Sequence, residues 1–395
     1  MQGRGVRENH GMYDVSYGFT SCAILALSAT SKHQSVQVSN RSLSLTIPCL
    51  LRTGPLQTFP NHHAIVPGAG INGVWVEPVP ELITGELKTW AYVSSVSSIR
   101  IPGYWLHKRQ SKIDIAASPI PGEKVVYALH GGGYIRLSAH PSDVTAGIAR
   151  ELLKHIPSVY RVFSVEYRLS MGRPYVPTHP FPAALLDALA GYNYLVNVVG
   201  FSPSDVIIEG DSAGGNLAHA LTRYLIEYQT IPDINLPAPP GALLLLSPWA
   251  DLGQSHDTPG SSSLTFLHSD YIGVVKSQGT DYAKAAFLGP HGMGAAEINR
   301  YISPASLNQN MKVDFKGFPR TFIVCGGAEV LRDQIRTFKD KMICDLEEGN
   351  GLKDGDGKVR YYEAKDGVHD YLVFPWHEPE RGDTLREIAR WVSVE

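Results

Sequence analysis

The segment 209–216 carries the residue pattern most typical of nucleophilic catalysis in this chain. It reads EGDSAGGN, so Ser212 lies between Gly210 and Gly214. An apolar run at residues 206–208 precedes it, and apolar residues recur at helical spacing after it. A serine in a sharp strand-to-helix turn is the arrangement of a nucleophile elbow, which exposes the hydroxyl above a sheet. The short pattern alone is weak, because it also fits an ordinary turn with a serine cap.

A second motif upstream, HGGGY at residues 130–134, strengthens this interpretation. It directly follows the apolar run 125–129. Consecutive glycines at a strand end leave backbone N–H groups uncovered, so a substrate oxygen can approach them closely. Such donors form an oxyanion hole together with the N–H of the residue after the nucleophile. The candidate oxyanion-hole residues are Gly132, Gly133 and Ala213, with Gly131 and Tyr134 as further site candidates.

A base must take the serine proton, and an acid must orient that base. In one known chain order the acid follows the serine and the histidine comes last. Glu329 and Asp333 both follow the apolar run 321–324, and Glu329 lies nearer to the strand end, where a site residue is expected. His369 follows the apolar run 359–363 on a loop. We therefore predict His369 as the base and Glu329 as the acid, with Asp333 as the alternative acid.

These candidates need strands that end close together. Apolar runs of strand length alternate with helical patterns, which predicts a mostly parallel central sheet with helices on both faces. The predicted strands are residues 125–129, 161–167, 206–208, 243–246, 321–324 and 359–363. The predicted helices are residues 142–156, 180–199, 334–346 and 384–392, with another that begins at Ser212.

Two segments depart from this alternation. Residues 1–86 lack sustained periodicity and predict an irregular arm ahead of an α/β core at 87–395. At the start of that core, residues 87–96 and 99–106 predict the strands of an antiparallel hairpin. Residues 251–315 are polar, rich in Gly and Ser, and too long for a structureless loop in a compact domain. We predict a helical insertion there, which forms a lid together with the arm.

Composition restricts the partners. The chain has 395 residues, of which 43% are hydrophobic and 18% charged, and a net charge of −3. This balance gives no electrostatic reason to expect nucleic acid, and no apolar run reaches the roughly 20 residues of a membrane span. The N-terminus lacks a basic stretch beside its apolar centre, which favours a cytoplasmic protein over a secreted one. We expect no metal and no cofactor; a homodimer is left open.

The motifs HGGGY and GDSAGGN, the segment PFPAAL at 180–185, and the motifs around Glu329 and His369 together resemble the hormone-sensitive-lipase-like branch of the α/β-hydrolases. The resemblance runs from about residue 87 to the end of the chain. It implies an α/β-hydrolase fold and a cofactor-free serine esterase with Ser212 as nucleophile, His369 as base and Glu329 at the acid position. The family usually has Asp where this chain has Glu329, and the extra methylene changes its reach.

Within that branch, residues 73–83, 138–142 and 246–251 resemble fungal esterases, including steryl-acetate deacetylases and tailoring enzymes of secondary metabolism. This resemblance implies a small-molecule ester with a short or medium acyl group on an apolar alcohol. Two alternatives stay open. The same residues could catalyse a lyase, cyclisation or acyl-transfer reaction, or the fold could serve as a ligand receptor similar to plant hormone receptors. Those receptors lose a triad residue, whereas all three are present here.

Overall fold

The computed structural model describes residues 71–232, 234–353 and 355–393. Most of the predicted N-terminal arm lies outside these residues. The strands are β1 (Asn72–Val76), β2 (Ile101–His107), β3 (Lys124–Leu129), β4 (Val159–Val165), β5 (Val206–Asp211), β6 (Ala242–Leu246), β7 (Arg320–Gly326) and β8 (Val359–Ala364). They form one sheet in the order β1-β2-β4-β3-β5-β6-β7-β8.

Every neighbouring pair from β4 to β8 is parallel, and β2 pairs antiparallel with β1 and with β4. The register places Leu129 of β3 opposite Gly210 of β5, and Asp211 opposite Leu246 of β6. Gly326 of β7 lies opposite Ala364 of β8. Because these carboxyl ends are adjacent, the loops that follow them meet at one edge of the sheet.

Helices cover both faces of the sheet. In the described residues they are α1 (Gly85–Val93), α2 (Ala146–His155), α3 (Ala183–Asn193), α4 (Ala213–Glu227), α5 (Ser262–Thr265), α6 (Tyr271–Leu288), α7 (Ala295–Ile298), α8 (Arg332–Leu346) and α9 (Glu380–Ser393). Alternate side chains of β3 belong to different cores: Tyr127 is in the core that includes residues of α3, α4 and α8, and Val126 is in the core that includes residues of α2 and α9. The predicted mostly parallel sheet with helices on both faces is confirmed.

The strand predicted at residues 87–96 is wrong, because this segment contains most of α1. Leu87 and Ala91, four residues apart, are its buried side chains, and this spacing fits a helix rather than a strand. The antiparallel partner of β2 is therefore β1 and not residues 87–96. Since β1 comes from the segment predicted as an irregular arm, the sheet begins before residue 87.

The segment 251–315 contains the helices α5, α6 and α7, and its assignment as an insertion stays a prediction. Its role as a lid stays a prediction. None of the helices in the described ranges has both the length and the apolar character that crossing a membrane requires.

An ion pair is buried where β3 and β4 begin. The guanidinium of Arg161 donates to both carboxylate oxygens of Glu123, at 2.8 and 2.9 Å, and neither side chain is exposed. It also donates to the carbonyl oxygen of Ala117 at 2.7 Å. The rings of Trp105 and Phe201 lie about 5 Å from the guanidinium carbon, on the scale expected for cation–π contacts. This pair ties the loop before β3 to β4.

Replacing Arg161 with Met should lower the free energy of unfolding by about 3 to 5 kcal/mol, because the Glu123 carboxylate then stays buried without its partner. Chemical denaturation at pH 7 measures the change. The control is Arg386→Met, which removes an exposed ion pair with Asp383 and should cost less than about 1 kcal/mol. Equal losses in the two variants would contradict the importance of the buried pair.

Candidate active site

Ser212 makes a sharp turn between β5 and α4. The strand ends at Asp211 and the helix begins at Ala213, so a single residue connects them. The φ and ψ angles of Ser212 are 52° and −117°, a strained conformation for a residue with a side chain. The Ser212 N–H donates to the carbonyl of Leu246, and the Trp249 N–H donates to the carbonyl of Ser212, both at 2.9 Å. These bonds hold the serine in the strained conformation.

The glycines around Ser212 are required for space. A methyl group on Gly214 would lie 1.8 Å from the carbonyl oxygen of Leu129. A methyl group on Gly210 would lie 2.2 Å from the carbonyl oxygen of Gly214. Atoms cannot pack this closely, so the first turn of α4 can approach β3 and β5 only when both positions lack a side chain.

His369 lies on the loop after β8 and reaches the serine. Its Nε2 is 2.9 Å from the Oγ of Ser212, a hydrogen-bond distance. Its Nδ1 is 3.9 Å from the Oε1 of Glu329. That second separation is longer than a hydrogen bond, and catalytic contacts in unliganded sites are often loose and shorten in the complex. The structure thus brings the three predicted catalytic residues together at the carboxyl edge of the sheet.

Two donors fix the carboxylate of Glu329. Its Oε2 accepts from the hydroxyl of Ser247 at 2.6 Å and from the N–H of Gly326 at 2.9 Å. The loops of the acid and of the histidine are joined directly, since the Ala328 N–H donates to the Gly367 carbonyl at 2.9 Å. Glu329 is fully buried, and this burial raises its pKa, against the opposing effect of His369.

Asp333, the alternative acid, points to other partners. Its carboxylate accepts from the N–H of Ser262 at 2.7 Å, and its own N–H donates to the Ser262 hydroxyl at 3.0 Å. Asp270, which caps α6, accepts from the N–H of Val330 at 2.8 Å. These bonds staple the start of the insertion to the loop that carries Glu329. We call this set of contacts the insertion staple.

The glycine-rich loop supplies candidate oxyanion donors. Gly132 and Gly133 have φ angles of 102° and 63°, which favour glycine. Their N–H groups donate no hydrogen bond to any described residue. Ala213 is the first residue of α4, so its N–H has no acceptor within the helix. Gly131 packs against Asp211, whose Oδ2 would lie 2.3 Å from an added methyl group.

Tyr134 anchors this loop from the other side. Its hydroxyl donates to the Oδ1 of Asn216 in α4 at 2.7 Å, and its ring stacks on Phe287 with centroids 3.9 Å apart. The ring of His130 stacks on Tyr167 at 4.2 Å, and the Tyr167 hydroxyl donates to the His130 carbonyl at 2.6 Å. The side chains of His130 and Tyr134 therefore hold the loop in place, and their polar atoms contact partners other than Ser212.

Sequence reasoning missed Asp370 and Ser247. The Oδ2 of Asp370 lies 3.0 Å from the Nε2 of His369. Although burial lowers the pKa of His369, the charges of Asp370 and Glu329 outweigh it and raise that pKa well above its ordinary range. Because Asp370 directly follows His369 in the chain, the sequence already shows that the two residues are close. It does not show that the carboxylate of Asp370 turns toward the imidazole ring. Ser247 lies in the segment 246–251, which the sequence analysis related to a family but not to the site.

A strained serine, a histidine in contact with it, a buried acid and a glycine loop with unused N–H groups lie together at the carboxyl edge of the sheet. The chain belongs to the Abhydrolase_3 family, of alpha/beta hydrolase fold, whose profile matches residues 125–372. The predicted hormone-sensitive-lipase-like affiliation and α/β-hydrolase fold are confirmed at this level.

Known relatives agree with this class. An acetyl-hydrolase of Streptomyces hygroscopicus is 31% identical over 68% of this chain and 73% of its own length. An esterase of Acinetobacter venetianus is 27% identical over 68% of this chain and 75% of its own. The crystal structure of a hormone-sensitive lipase from a metagenome library is 25% identical, covers 74% of this chain and 81% of its own, and superposes with a TM-score of 0.52. The chain is a carboxylic ester hydrolase of the esterase and lipase type.

Replacing Glu329 with Gln should lower kcat by about 10³- to 10⁴-fold, because the imidazolium then loses its counter-charge on Nδ1. The matched change Asp333→Asn should leave kcat close to the wild-type value, since the amide oxygen can still accept from Ser262. Steady-state kinetics with p-nitrophenyl acetate measure both. A larger loss in the Asp333 variant would reassign the acid.

Proposed function

We propose that the protein cleaves carboxylic esters with short or medium acyl groups through a Ser212–His369–Glu329 triad and an acyl-enzyme. The observation that carries the proposal is the 2.9 Å contact between the Nε2 of His369 and the Oγ of a strained Ser212. A base within this distance can take the hydroxyl proton as the serine attacks. The burial of Glu329 behind Nδ1 supports its role as the counter-charge.

The first half of the reaction forms the acyl-enzyme. The Oγ of Ser212 bonds to the acyl carbon while its proton passes to the Nε2 of His369. The carbonyl oxygen becomes an oxyanion, which accepts from the N–H groups of Gly132, Gly133 and Ala213. One such donor contributes about 3 to 4 kcal/mol of transition-state stabilisation. The alcohol then leaves as its bond to carbon breaks, and it takes the proton from Nε2.

The second half of the reaction releases the acid. Water gives a proton to Nε2 as its oxygen bonds to the acyl carbon. When the bond from carbon to Oγ breaks, Ser212 takes that proton back and the carboxylic acid leaves. Neither half needs an oxidant or a reductant, since the oxidation state of every atom stays the same.

Apolar walls around the site support an apolar substrate. Gly133 lies near Ala283 of α6 and the ring of Trp249, and the ring of Tyr271 is 6.0 Å from that of His369. These groups offer apolar contacts to an acyl chain or an alcohol. The acetyl-hydrolase among the relatives and the resemblance to fungal steryl-acetate deacetylases favour a short acyl group on an apolar alcohol or secondary metabolite. The insertion would cover this substrate as a lid.

One observation favours a second outcome at the same site. Ser212 is only 9% exposed and His369 only 2%. A covered site keeps water from an acyl-enzyme, which would permit cyclisation, acyl transfer or a lyase reaction on a biosynthetic substrate. Product analysis in ¹⁸O-labelled water separates the outcomes. Label in a released acid means hydrolysis, whereas an unlabelled lactone or transferred ester means the second outcome.

Ser212→Ala should abolish p-nitrophenyl ester turnover, by up to about 10⁶-fold in kcat, because no other group can form the acyl-enzyme. The variant should also lose labelling by a fluorophosphonate probe. Ser202→Ala, at an exposed serine, is the matched control and should keep both. If the wild-type protein fails to label while folded, the ligand-receptor alternative gains and the proposal is wrong.

A further inference from the structure

A second carboxylate lies on the nucleophile side of His369. The Nε2 atom is 2.9 Å from the Oγ of Ser212 and 3.0 Å from the Oδ2 of Asp370. At this distance the negative charge of the Asp370 carboxylate favours a proton on Nε2. A base that takes the serine proton needs a lone pair on that same atom. The two contacts therefore favour opposite protonation states of the ring.

The backbone holds Asp370 in this position. Asp370 has φ and ψ angles of 48° and 35°, the left-handed region that residues with side chains avoid. Its N–H donates to the hydroxyl of Ser247 at 3.3 Å, and that hydroxyl donates to Glu329. The side chain is 8% exposed, and its Oδ1 has no hydrogen-bond partner among the described residues. A buried carboxylate with an unpaired oxygen beside a nucleophile is a candidate for function.

The groups that face the imidazole are acids. Glu329 stands at Nδ1 and Asp370 at Nε2. Asp211 of β5 and Asp270 at the start of α6 interact with the ring by charge, and the ring of Tyr271 lies 6.0 Å away. Behind them, Glu209 of β5 interacts by charge with Asp370. Of these groups, Asp370 and Glu329 are the ones whose charges stabilise a positively charged ring.

We propose that Asp370 is a positioning residue that holds His369 as an imidazolium in the resting site, so that ester hydrolysis begins only as the pH rises. The inference rests on the proposed function of Ser212 and His369. The resting ring carries protons on both nitrogens. Loss of the Nε2 proton to solvent leaves the lone pair that accepts the Ser212 proton, while the Nδ1 proton stays toward Glu329.

The direction of the pH dependence follows from the protonation step. The neutral ring is the active form, so activity is lost as the pH falls through the pKa of His369. The nearby carboxylates raise that pKa despite the lowering effect of burial. Removing the charge of Asp370 should lower it, and the acidic limb of the rate profile should move with it.

Asp370→Asn tests this directly, because Asn tolerates the left-handed backbone and keeps the shape of the side chain. Profiles of kcat/KM with p-nitrophenyl acetate from pH 5 to pH 10 should show the acidic limb displaced downward by about one unit, a gain of about tenfold on that limb. The control is Asp366→Asn, at an exposed position three residues before His369, which should leave the limb unchanged. An unshifted limb in Asp370→Asn overturns the proposal.

A second measurement works without turnover. NMR titration of protein labelled in the histidine ring follows the protonation of His369, with its signal assigned by its loss in His369→Gln. A lower midpoint of the His369 titration in Asp370→Asn supports the proposed role of Asp370. It does so even if the wild-type protein hydrolyses no ester, and in that case only the proposed function fails. Ester hydrolysis with equal midpoints in both proteins keeps the proposed function and overturns the role of Asp370.

Discussion

Backbone contact between neighbouring strand ends is the constraint on which the site depends. The first turn of α4 touches the end of β3 at Gly214 and Leu129, and the loops after β7 and β8 touch at Gly326 and Gly367, where an added methyl would lie 2.4 Å from an oxygen. Each contact exists only because a side chain is missing. The parallel register brings the loops to one edge, and these glycines then close the remaining distance, so that His369 reaches hydrogen-bond distance of Ser212 and Glu329 lies beside His369.

Buried acids around that edge oppose folding as the pH rises. Burial and the charge of Asp370 raise the pKa of Glu209 to about 8, and burial raises that of Asp270 to about 7 and that of Asp211 well above its ordinary value. Above the pKa of an unfolded carboxyl group, the folded chain binds protons that the unfolded chain has released. Stability from these groups therefore falls as the pH rises toward those values.

Local patterns predicted much of this site, and long-range pairing explains what they missed. The elbow, the glycine loop and the order of the predicted acid and base are each encoded within a few residues, beside strands whose apolar runs are unambiguous. The segment 87–96 was misread because its alternation outweighed the four-residue spacing of Leu87 and Ala91. The pairing of β1 with β2 depends on residues that carry no local signal for it. Asp370 was visible beside His369, but only tertiary contacts turn its carboxylate back onto Nε2.

The insertion staple has an evolutionary consequence. Ser262 and Asp270 belong to the predicted insertion, yet their bonds to Asp333 and Val330 help to hold the segment that carries Glu329, the proposed acid. Recombination that exchanged the whole segment between homologues would therefore disturb the position of Glu329. Point substitutions that leave Ser262 and Asp270 in place would keep these bonds, so evolution can vary the rest of the segment without losing them.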